Sequence, residues 1–426
     1  MRIIPACNGR AIDRLIARDA ARDPSVERRV ARIVADIRLR GDAALREWRR
    51  RIDGETGPIE VTRDELRRGW RATPDTVRRA IRMAATNVAR VARRQTPRSF
   101  DVPVRRGVRI EQRVQPLGHV GCYVPGGRYP LVSTLLMTVV PARVAGVPEI
   151  TVACPAITPA ICCAAIEAGA TRVLRVGGAH AIAALAYGTR TVARVDKIVG
   201  PGSAWVAAAK ALVARDCAID FHAGPSEIVV WSDRGRAEWI AADLVAQAEH
   251  DPDARAIHVT TRPVLARAVA EAVQHTLPVE GPARQAIRAN GAVIVATTRR
   301  DAAAIVNRFA PEHLVCDSPE DAALVVSAGT IFVGDWSAQA LGDYATGSNH
   351  VLPTGGASRF RGGLSAADFV RTFTVQTITK TGVGAIGDAA VALAEAEGLV
   401  AHARSIRLRL ANLGSRRPLR AGLRPS

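Results

Sequence analysis

Four of the chain's nine histidines lie in short polar segments within apolar sequence, each near a carboxylate or an amide. These segments contain the pairs Gln247 and His250, Glu312 and His313, Asp343 and His350, and Glu397 and His402. Carboxylate, amide and imidazole groups together suit a divalent metal such as zinc. An adjacent Glu-His pair suits proton transfer. These pairs are too far apart in sequence to form one local motif, so any shared site must be assembled by the fold.

Each pair also has a purely structural interpretation. Gln247 and His250 share one face of a predicted helix end, where a histidine often serves as a simple cap. Asp343 lies in a polar loop in which turn-forming roles are the default. A Glu-His pair is common by chance, and the spacing of Glu397 and His402 is typical of a helix surface. The joint occurrence of the pairs is what favours a metal site.

Composition places the chain among soluble globular proteins with two or more domains. It has 426 residues, 48% hydrophobic, with a mean hydropathy of +0.06. Apolar stretches are interrupted before about 18 residues, so no membrane-spanning helix is expected. The charged N-terminus lacks the apolar core of a signal peptide. The seven cysteines form no CxxC pair, which predicts reduced thiols and a cytoplasmic location.

The strongly basic charge does not predict a nucleic-acid partner. The net charge is +19, but the chain has only Lys197, Lys210 and Lys380, so nearly all of the positive charge is arginine. Those arginines are interspersed with acidic residues along predicted amphipathic helices, and a basic tail follows residue 413. Aromatic residues make up 4% of the chain, which leaves few side chains for stacking on bases.

The first half of the chain predicts helices followed by a parallel sheet. Residues 24–50 and 61–95 have helical spacing of apolar residues, and Asp75 after Pro74 marks a helix start. Residues 108–127 read as a strand that enters a Gly-Pro turn. Residues 149–232 then alternate strands and helices, as in βαβ units.

Glycine-rich turns follow the predicted strands of this region. They are Gly126-Gly127, Gly177-Gly178 and Gly200-Pro201-Gly202. Backbone amides and helix N-termini at such turns can face a phosphate. The segment from Gly200 to Trp205 carries the first two glycines of a dinucleotide motif and a tryptophan in place of the third. Its spacing is at least as consistent with a structural turn as with a dinucleotide-binding site.

A second α/β region spans 236–335 with the same alternation. A long glycine-rich loop follows Asp343, and a loop of this length inside a compact protein is usually functional. Residues 383–412 predict two helices separated by Gly398.

The chain resembles the histidinol dehydrogenase family over nearly its whole length. The matching segments are VGCYVPGG, STLLMTVVPARVAGV, AIAALAYGT, VDKIVGPG, AGPSEIVV, AQAEHDPDA, APEHLV, GDYATGSNHVLPTGG and EGLVAH. The resemblance implies an NAD-dependent, zinc-containing oxidoreductase that converts L-histidinol through the aldehyde to L-histidine, the last step of histidine biosynthesis. A homodimer with shared active sites is also implied. The alternative is a related dehydrogenase that acts on another amino alcohol or a polyol, and a non-enzymatic protein that kept the fold is a third possibility.

The resemblance also assigns roles to individual residues. Gln247, His250 and Asp343 resemble zinc ligands, and His402 resembles a fourth ligand that comes from the partner subunit. Glu312 and His313 resemble the catalytic pair. The zinc ligands and His313 also count among the substrate-binding positions, together with Ser226, His350 and Glu397. Tyr123, His180 and Ser203 occupy cofactor positions.

Two cofactor positions depart from the family pattern. Glutamine is usual where this chain has His180, and asparagine where it has Ser203. The segment Asp220-Phe221-His222 also departs, because proline is usual directly before Ala223. We expect His180 to replace a hydrogen bond of the glutamine, and the shorter Ser203 to make weaker or water-mediated contact.

The resulting fold prediction is an α/β protein of two related lobes with mostly parallel, incompletely Rossmann-like sheets. Small N- and C-terminal helical extensions are expected to mediate dimerisation. The predicted divisions are an extension over 1–19, a metal domain over 20–122 and 228–364, a nucleotide-binding-like domain over 123–227, and a dimerisation domain over 365–426.

Overall fold

The computed structural model describes residues 1–17, 23–126, 130–221 and 224–413. In chain order its strands are β1 Arg2–Pro5, β2 Phe100–Arg105, β3 Val108–Pro116, β4 His119–Tyr123, β5 Glu149–Ala153, β6 Arg172–Leu174, β7 Lys197–Val199, β8 Ala218–Ile219, β9 Glu227–Trp231, β10 Arg255–Thr260, β11 Ala292–Val295, β12 His313–Cys316, β13 Thr330–Val333 and β14 Val370–Ile378. Its first helices are α1 Gly9–Ile16, α2 Pro24–Arg40, α3 Asp42–Ile52, α4 Arg63–Ala72, α5 Asp75–Gln95, α6 Val132–Ala145, α7 Pro159–Ala168, α8 Gly178–Tyr187 and α9 Ala204–Val213. The later helices are α10 Ala237–Ala248, α11 Pro263–Thr276, α12 Pro282–Asn290, α13 Arg299–Phe309, α14 Pro319–Ala322, α15 Gln339–Tyr344, α16 Lys380–Ala396 and α17 Val400–Ala411, with short 3-10 turns at Ala357–Arg359 and Ala366–Phe369.

Contacts divide the chain into two units. The first comprises Met1–Thr96 and Pro116–Phe369, and the second comprises Pro97–Gln115 and Val370–Ser426, as far as these ranges are described. The first unit contains both parallel sheets. The four-part division predicted from sequence stays a prediction.

The first unit contains a five-stranded and a six-stranded sheet. The strand order is β6-β5-β4-β7-β8 in the smaller sheet and β1-β11-β10-β9-β12-β13 in the larger one. All pairings in both sheets are parallel. The mixed α/β architecture with mostly parallel sheets is therefore confirmed. Central strands β4 and β9 are buried along their whole length, as strands covered on both faces must be.

Two strands lie where the sequence pattern alone did not place them. Strand alternation placed residues 227–231 at the end of the first α/β region, whereas the predicted division assigned residues 228–364 to the metal domain. β9 lies at the centre of the six-stranded sheet between β10 and β12. Residues 2–5, predicted to lie in an N-terminal extension, pair with 292–295 as an edge strand of that sheet. Neither partner choice is encoded in local periodicity, because short apolar strands of both sheets look alike.

Local signals explain the helix boundaries. In α2 the buried positions Val30, Ile33, Val34 and Ile37 form one stripe. The predicted stretch 24–50 is broken at Gly41, whose φ of 54° suits glycine. The stretch 61–95 is broken at Pro74, and Asp75 begins α5 as predicted.

The segment 108–127 contains two strands instead of one. β3 ends at Pro116 and β4 begins at His119, and they belong to different sheets. Proline lacks the N–H that would continue a ladder, and Gly118 lies at the break. Gly127 lies outside the described residues.

The second unit consists of the sheet β14-β3-β2 with helices α16 and α17. The predicted helix pair is confirmed, and Gly398 between the two helices has a φ of 73°. Val391, Ala394 and Ala403 form its small apolar core. The predicted basic tail after residue 413 lies outside the described residues.

Candidate active site

The Glu312-His313 pair lies at the amino end of the six-stranded sheet. α13 ends before Ala310, which has a φ of 46°, and Pro311 leads directly into the pair. His313 is the first residue of β12 and pairs in register with Ile228 of β9. Both side chains are buried. The parallel neighbour thereby brings Ser226 and Glu227 beside the pair.

The imidazole of His313 is held in one tautomer. Its Nδ1 lies 3.2 Å from the backbone carbonyl oxygen of Glu227, which can only accept, so Nδ1 carries the hydrogen. Its Nε2 is buried and has no hydrogen-bond partner among the described residues. The carboxylate of Asp343 lies 3.7 Å from Nε2. The open lone pair of a neutral imidazole therefore points toward a carboxylate.

Burial dominates the titration of Glu312 and His313. It lowers the pKa of His313 to about 3, so the ring is neutral at ordinary pH. It raises the pKa of Glu312 well above its usual value, and the negative charges of Glu227 and Asp343 add to that rise. The Glu227 N–H donates to Glu312 Oε2 at 2.8 Å, and a hydrogen bond with Ser226 also favours the charged form, but neither outweighs burial.

Asp343 joins this site from α15. Gln339 Nε2 donates to Asp343 Oδ2 at 2.5 Å. Burial raises the pKa of Asp343 to about 6, although the nearby His250 and the Gln339 hydrogen bond act in the opposite direction. Glu227, Glu312 and Asp343 thus place three acidic groups in one region of low solvent access.

His350 lies beside Asp343. Its Nδ1 is 2.8 Å from the Asp343 carbonyl oxygen, and its Nε2 is 3.3 Å from the hydroxyl of Thr134. Burial lowers the pKa of His350 to about 4. The Asp343 carbonyl assigns the hydrogen to Nδ1, which leaves Nε2 to accept from the Thr134 hydroxyl.

Gln247 has a buried amide whose two polar atoms are free of hydrogen-bond partners among the described residues. It lies in the last turn of α10 and is fully buried, yet within the described chain neither its Nε2 nor its Oε1 has a hydrogen-bond partner. A buried amide left in this state costs about 1–3 kcal/mol. His250, exposed just beyond the helix, affects the pKa values of both Asp343 and His313, so these groups are neighbours.

Within the ranges that the structure describes, no three His, Cys, Asp or Glu side chains gather in an arrangement that could hold a metal. The predicted set contributes only His250 and Asp343 of these types to the first unit, together with the amide of Gln247. His402 belongs to the first turn of α17 and Glu397 caps α16, so both lie in the second unit, where both are exposed.

The predicted cofactor residues lie at the carboxyl ends of the five-stranded sheet. Tyr123 ends β4, and its hydroxyl accepts from the Gly178 N–H at 3.1 Å. His180 in α8 is fully buried and lies 3.0 Å from Asp53. Ser203 precedes α9 and is exposed. His222 lies outside the described residues.

Comparisons with known proteins agree with this architecture. The histidinol dehydrogenase family profile matches residues 16–410. The histidinol dehydrogenase of Methylococcus capsulatus is 43% identical over 414 residues, covering 94% of this chain and 95% of that protein. The enzyme of Methanothermobacter thermautotrophicus is 44% identical, covering 89% and 92%. A crystal structure of histidinol dehydrogenase from Elizabethkingia anophelis superposes with a TM-score of 0.92 at 34% identity, covering 97% of this chain and 99% of that one.

The chain belongs to the histidinol dehydrogenase family. The resemblance predicted from its motifs is thus confirmed, and it is an oxidoreductase of this family. In the described part of the chain no helix combines the length and the apolar character needed to cross a membrane.

Sequence reasoning missed three residues of this candidate site. Glu227 is buried, accepts from the Gly355 N–H and supplies the carbonyl that orients His313. Gln339 binds Asp343, and Thr134 contacts His350. An acidic residue opening the apolar run IVVW was a detectable signal for Glu227, since Glu is seldom buried without a role. Gln339 and Thr134 have no comparable signal.

Proposed function

We propose that this chain is a zinc- and NAD-dependent histidinol dehydrogenase that oxidises L-histidinol to L-histidinal and then to L-histidine. The observation that carries the proposal is the buried, neutral imidazole of His313 with a fixed tautomer. Its open Nε2, free of hydrogen-bond partners in the part of the chain described, lies 3.7 Å from the carboxylate of Asp343. Such a nitrogen is suited to remove a proton from a hydroxyl group.

His313 can act in both oxidations. Its Nε2 accepts the hydroxyl proton of the alcohol, and later the proton of the aldehyde hydrate. Burial disfavours the resulting imidazolium, so the proton leaves the ring readily and the base is restored for the second step. The Nδ1 hydrogen bond to Glu227 keeps the ring in place throughout. NAD, when bound, accepts the hydride of each oxidation.

Glu312 is assigned to the hydration of the aldehyde. Its raised pKa gives a carboxylate that takes a proton from water more readily than an ordinary glutamate does. The Glu227 N–H fixes one of its oxygens. Because Glu312 and His313 are adjacent in sequence and both buried, the hydrate forms next to the base that deprotonates it.

Gln247, His250 and Asp343 are assigned to a zinc ion, with His402 of a second copy as the fourth ligand. The buried amide of Gln247, which no described group satisfies, and the electrostatic influence of His250 on Asp343 fit a divalent cation. The ion would hold the amine and imidazole nitrogens of the substrate and stabilise negative charge on its oxygen. Ser226, His350 and Glu397 are assigned to the substrate, and Tyr123, His180 and Ser203 to NAD.

A coupled assay tests this function. Purified protein is loaded with zinc, its metal content is measured, and NADH formation is followed with L-histidinol. An alcohol oxidised to a carboxylic acid must yield two NADH per histidinol. No absorbance rise with histidinol but a rise with another amino alcohol or a polyol would select the related-dehydrogenase alternative. No turnover with any of these, together with salt-sensitive DNA binding, would select the non-enzymatic one.

Mixing of inactive variants tests the shared site. We expect His250→Ala and His402→Ala each to lose activity, and a mixture to regain part of it after subunit exchange. Random exchange of two subunits gives some dimers in which one site carries neither substitution. Labelled subunits verify the exchange. No recovery despite complete exchange would place the whole site within one chain.

A further inference from the structure

Asp53 is a partly buried carboxylate, with 9% of its side chain exposed, that joins two parts of the first unit. It caps the C-terminal end of α3, where negative charge is unfavourable for the helix dipole. Its Oδ2 instead faces α8, accepting from the Gly177 N–H at 3.2 Å and lying 3.0 Å from His180 Nε2. The position of Asp53 is therefore explained by the start of α8 and not by α3.

The pair fixes the histidine in one orientation. A carboxylate only accepts, so His180 Nε2 carries a hydrogen toward Asp53. His180 is fully buried, and its Nδ1 lacks a partner in the described ranges. A Cβ on Gly178 would lie 3.3 Å from that Nδ1, so the ring edge lies against the turn itself. The buried ring of His180 thus packs against the Gly177-Gly178 turn.

The same turn holds Tyr123. Gly178, with a φ of 59°, donates its N–H to the Tyr123 hydroxyl at 3.1 Å. A Cβ on Gly177 would lie 2.8 Å from Pro155, so the turn is packed closely on its other side. Asp53 is therefore linked through the Gly177-Gly178 turn to Tyr123, at the carboxyl end of the five-stranded sheet.

We infer that Asp53 is a positioning residue for the cofactor site. Through Gly177 and His180 it fixes the Gly177-Gly178 turn, and through that turn the Tyr123 hydroxyl, for a nicotinamide dinucleotide. The inference rests on the proposed function. Asp53 acts through other groups and contacts no reacting atom, so its loss should weaken cofactor binding and leave binding of the alcohol substrate unchanged.

Equilibrium binding of NADH to the full-length protein without histidinol tests this inference. Enhancement of NADH fluorescence reports binding independently of turnover. Asp53→Ala should raise the Kd for NADH about ten-fold or more, because two hydrogen bonds to a charged acceptor are lost. Asp53→Asn keeps one accepting oxygen and should be intermediate. In steady state, the KM for NAD should rise in parallel while the KM for histidinol stays within about two-fold.

Asp42→Ala is the matched control. Asp42 begins the same helix and accepts from the Thr191 N–H at 3.1 Å and from its hydroxyl at 2.5 Å, so it also joins α3 to the rest of the first unit. It should leave the Kd for NADH at the wild-type value. Wild-type affinity in Asp53→Ala, or in Asp53→Asn if the alanine variant does not fold, would overturn the inference, as would equal weakening by Asp42→Ala. Wild-type protein that forms no NADH from histidinol would instead refute the proposed function.

Discussion

The two parallel sheets of the first unit carry their candidate functional residues at opposite ends of their strands. In the five-stranded sheet, Tyr123 and the turns at Gly177 and Gly200 follow the carboxyl ends of strands. In the six-stranded sheet, Glu227 and His313 are the first residues of β9 and β12, at the amino ends. Ligands of open parallel sheets usually bind at the carboxyl ends, so the candidate cofactor residues follow this rule and the Glu312-His313 pair departs from it.

The two ends of the six-stranded sheet differ in how their acids are satisfied. At the carboxyl end, Asp233 accepts from the hydroxyls of Thr260 and Thr261 at 2.7 Å and from the Thr261 N–H at 2.6 Å. Burial raises the pKa of Asp233, but these hydrogen bonds lower it overall. At the amino end, burial prevails and the pKa of Glu312 is raised. Chemistry is therefore expected at the amino end, where burial outweighs hydrogen bonding in setting the pKa of the acid.

Two histidines that flank β9 provide the sharpest test of this contrast, and the largest expected effect. His258 Nδ1 lies 3.0 Å from the Val230 carbonyl oxygen, as His313 Nδ1 lies near that of Glu227. In His313→Asn the amide can replace the Nδ1 donor but not the Nε2 acceptor. We expect kcat to fall about a hundred-fold to ten-thousand-fold. His258→Asn should keep kcat within about three-fold. A similar decrease of kcat in both variants would contradict the distinction between the amino and carboxyl ends of the six-stranded sheet.

Some features of the two sheets and of the candidate site could be predicted from the sequence, and others could not. The alternation over 149–232 and 236–335 predicted the parallel sheets, and motif resemblance pointed to Glu312 and His313. Alternation alone could not predict that β9 belongs to the second sheet, although the predicted division placed residues 228–364 in the metal domain. This pairing places Glu227 beside His313. That pairing depends on contacts between residues 86 positions apart. The Asp53–His180 contact is hidden for the same reason, since local periodicity carries no information about such partners.

The pH dependence of stability provides the next largest effect. Burial lowers the pKa of His258 from 6.5 to about 4, so the unfolded chain binds its proton first as pH falls. Stability from neutral His258 is therefore complete above about pH 6.5 and is lost as pH falls toward 4, by about 3 kcal/mol. The free energy of unfolding is measured by urea unfolding at pH 7, pH 5 and pH 4. In His258→Asn it should decrease between pH 7 and pH 4 by about 3 kcal/mol less than in the wild type. A slope equal to that of the wild type would contradict the assigned direction.

The smallest expected effect concerns Gln247. If its buried amide is kept for a cation, Gln247→Leu should stabilise the metal-free protein by about 1–2 kcal/mol while lowering zinc content. Gln339→Leu is the matched control, because Gln339 is equally buried but hydrogen-bonded to Asp343, and it should destabilise the metal-free protein. Urea unfolding after chelation and metal analysis provide the two readouts. Normal zinc content in Gln247→Leu would remove Gln247 from the ligand set.

The most direct test measures the rates of the two oxidations separately in Glu312→Gln. It asks whether Glu312 serves aldehyde hydration while His313 serves as the base in both oxidations. NADH formation is followed in single turnovers started from L-histidinol and from L-histidinal. The predicted result is a first oxidation within a few-fold of wild type and an aldehyde oxidation slowed about a hundred-fold or more. Equal slowing of both oxidations, or no slowing of either, would contradict the assignment of aldehyde hydration to Glu312.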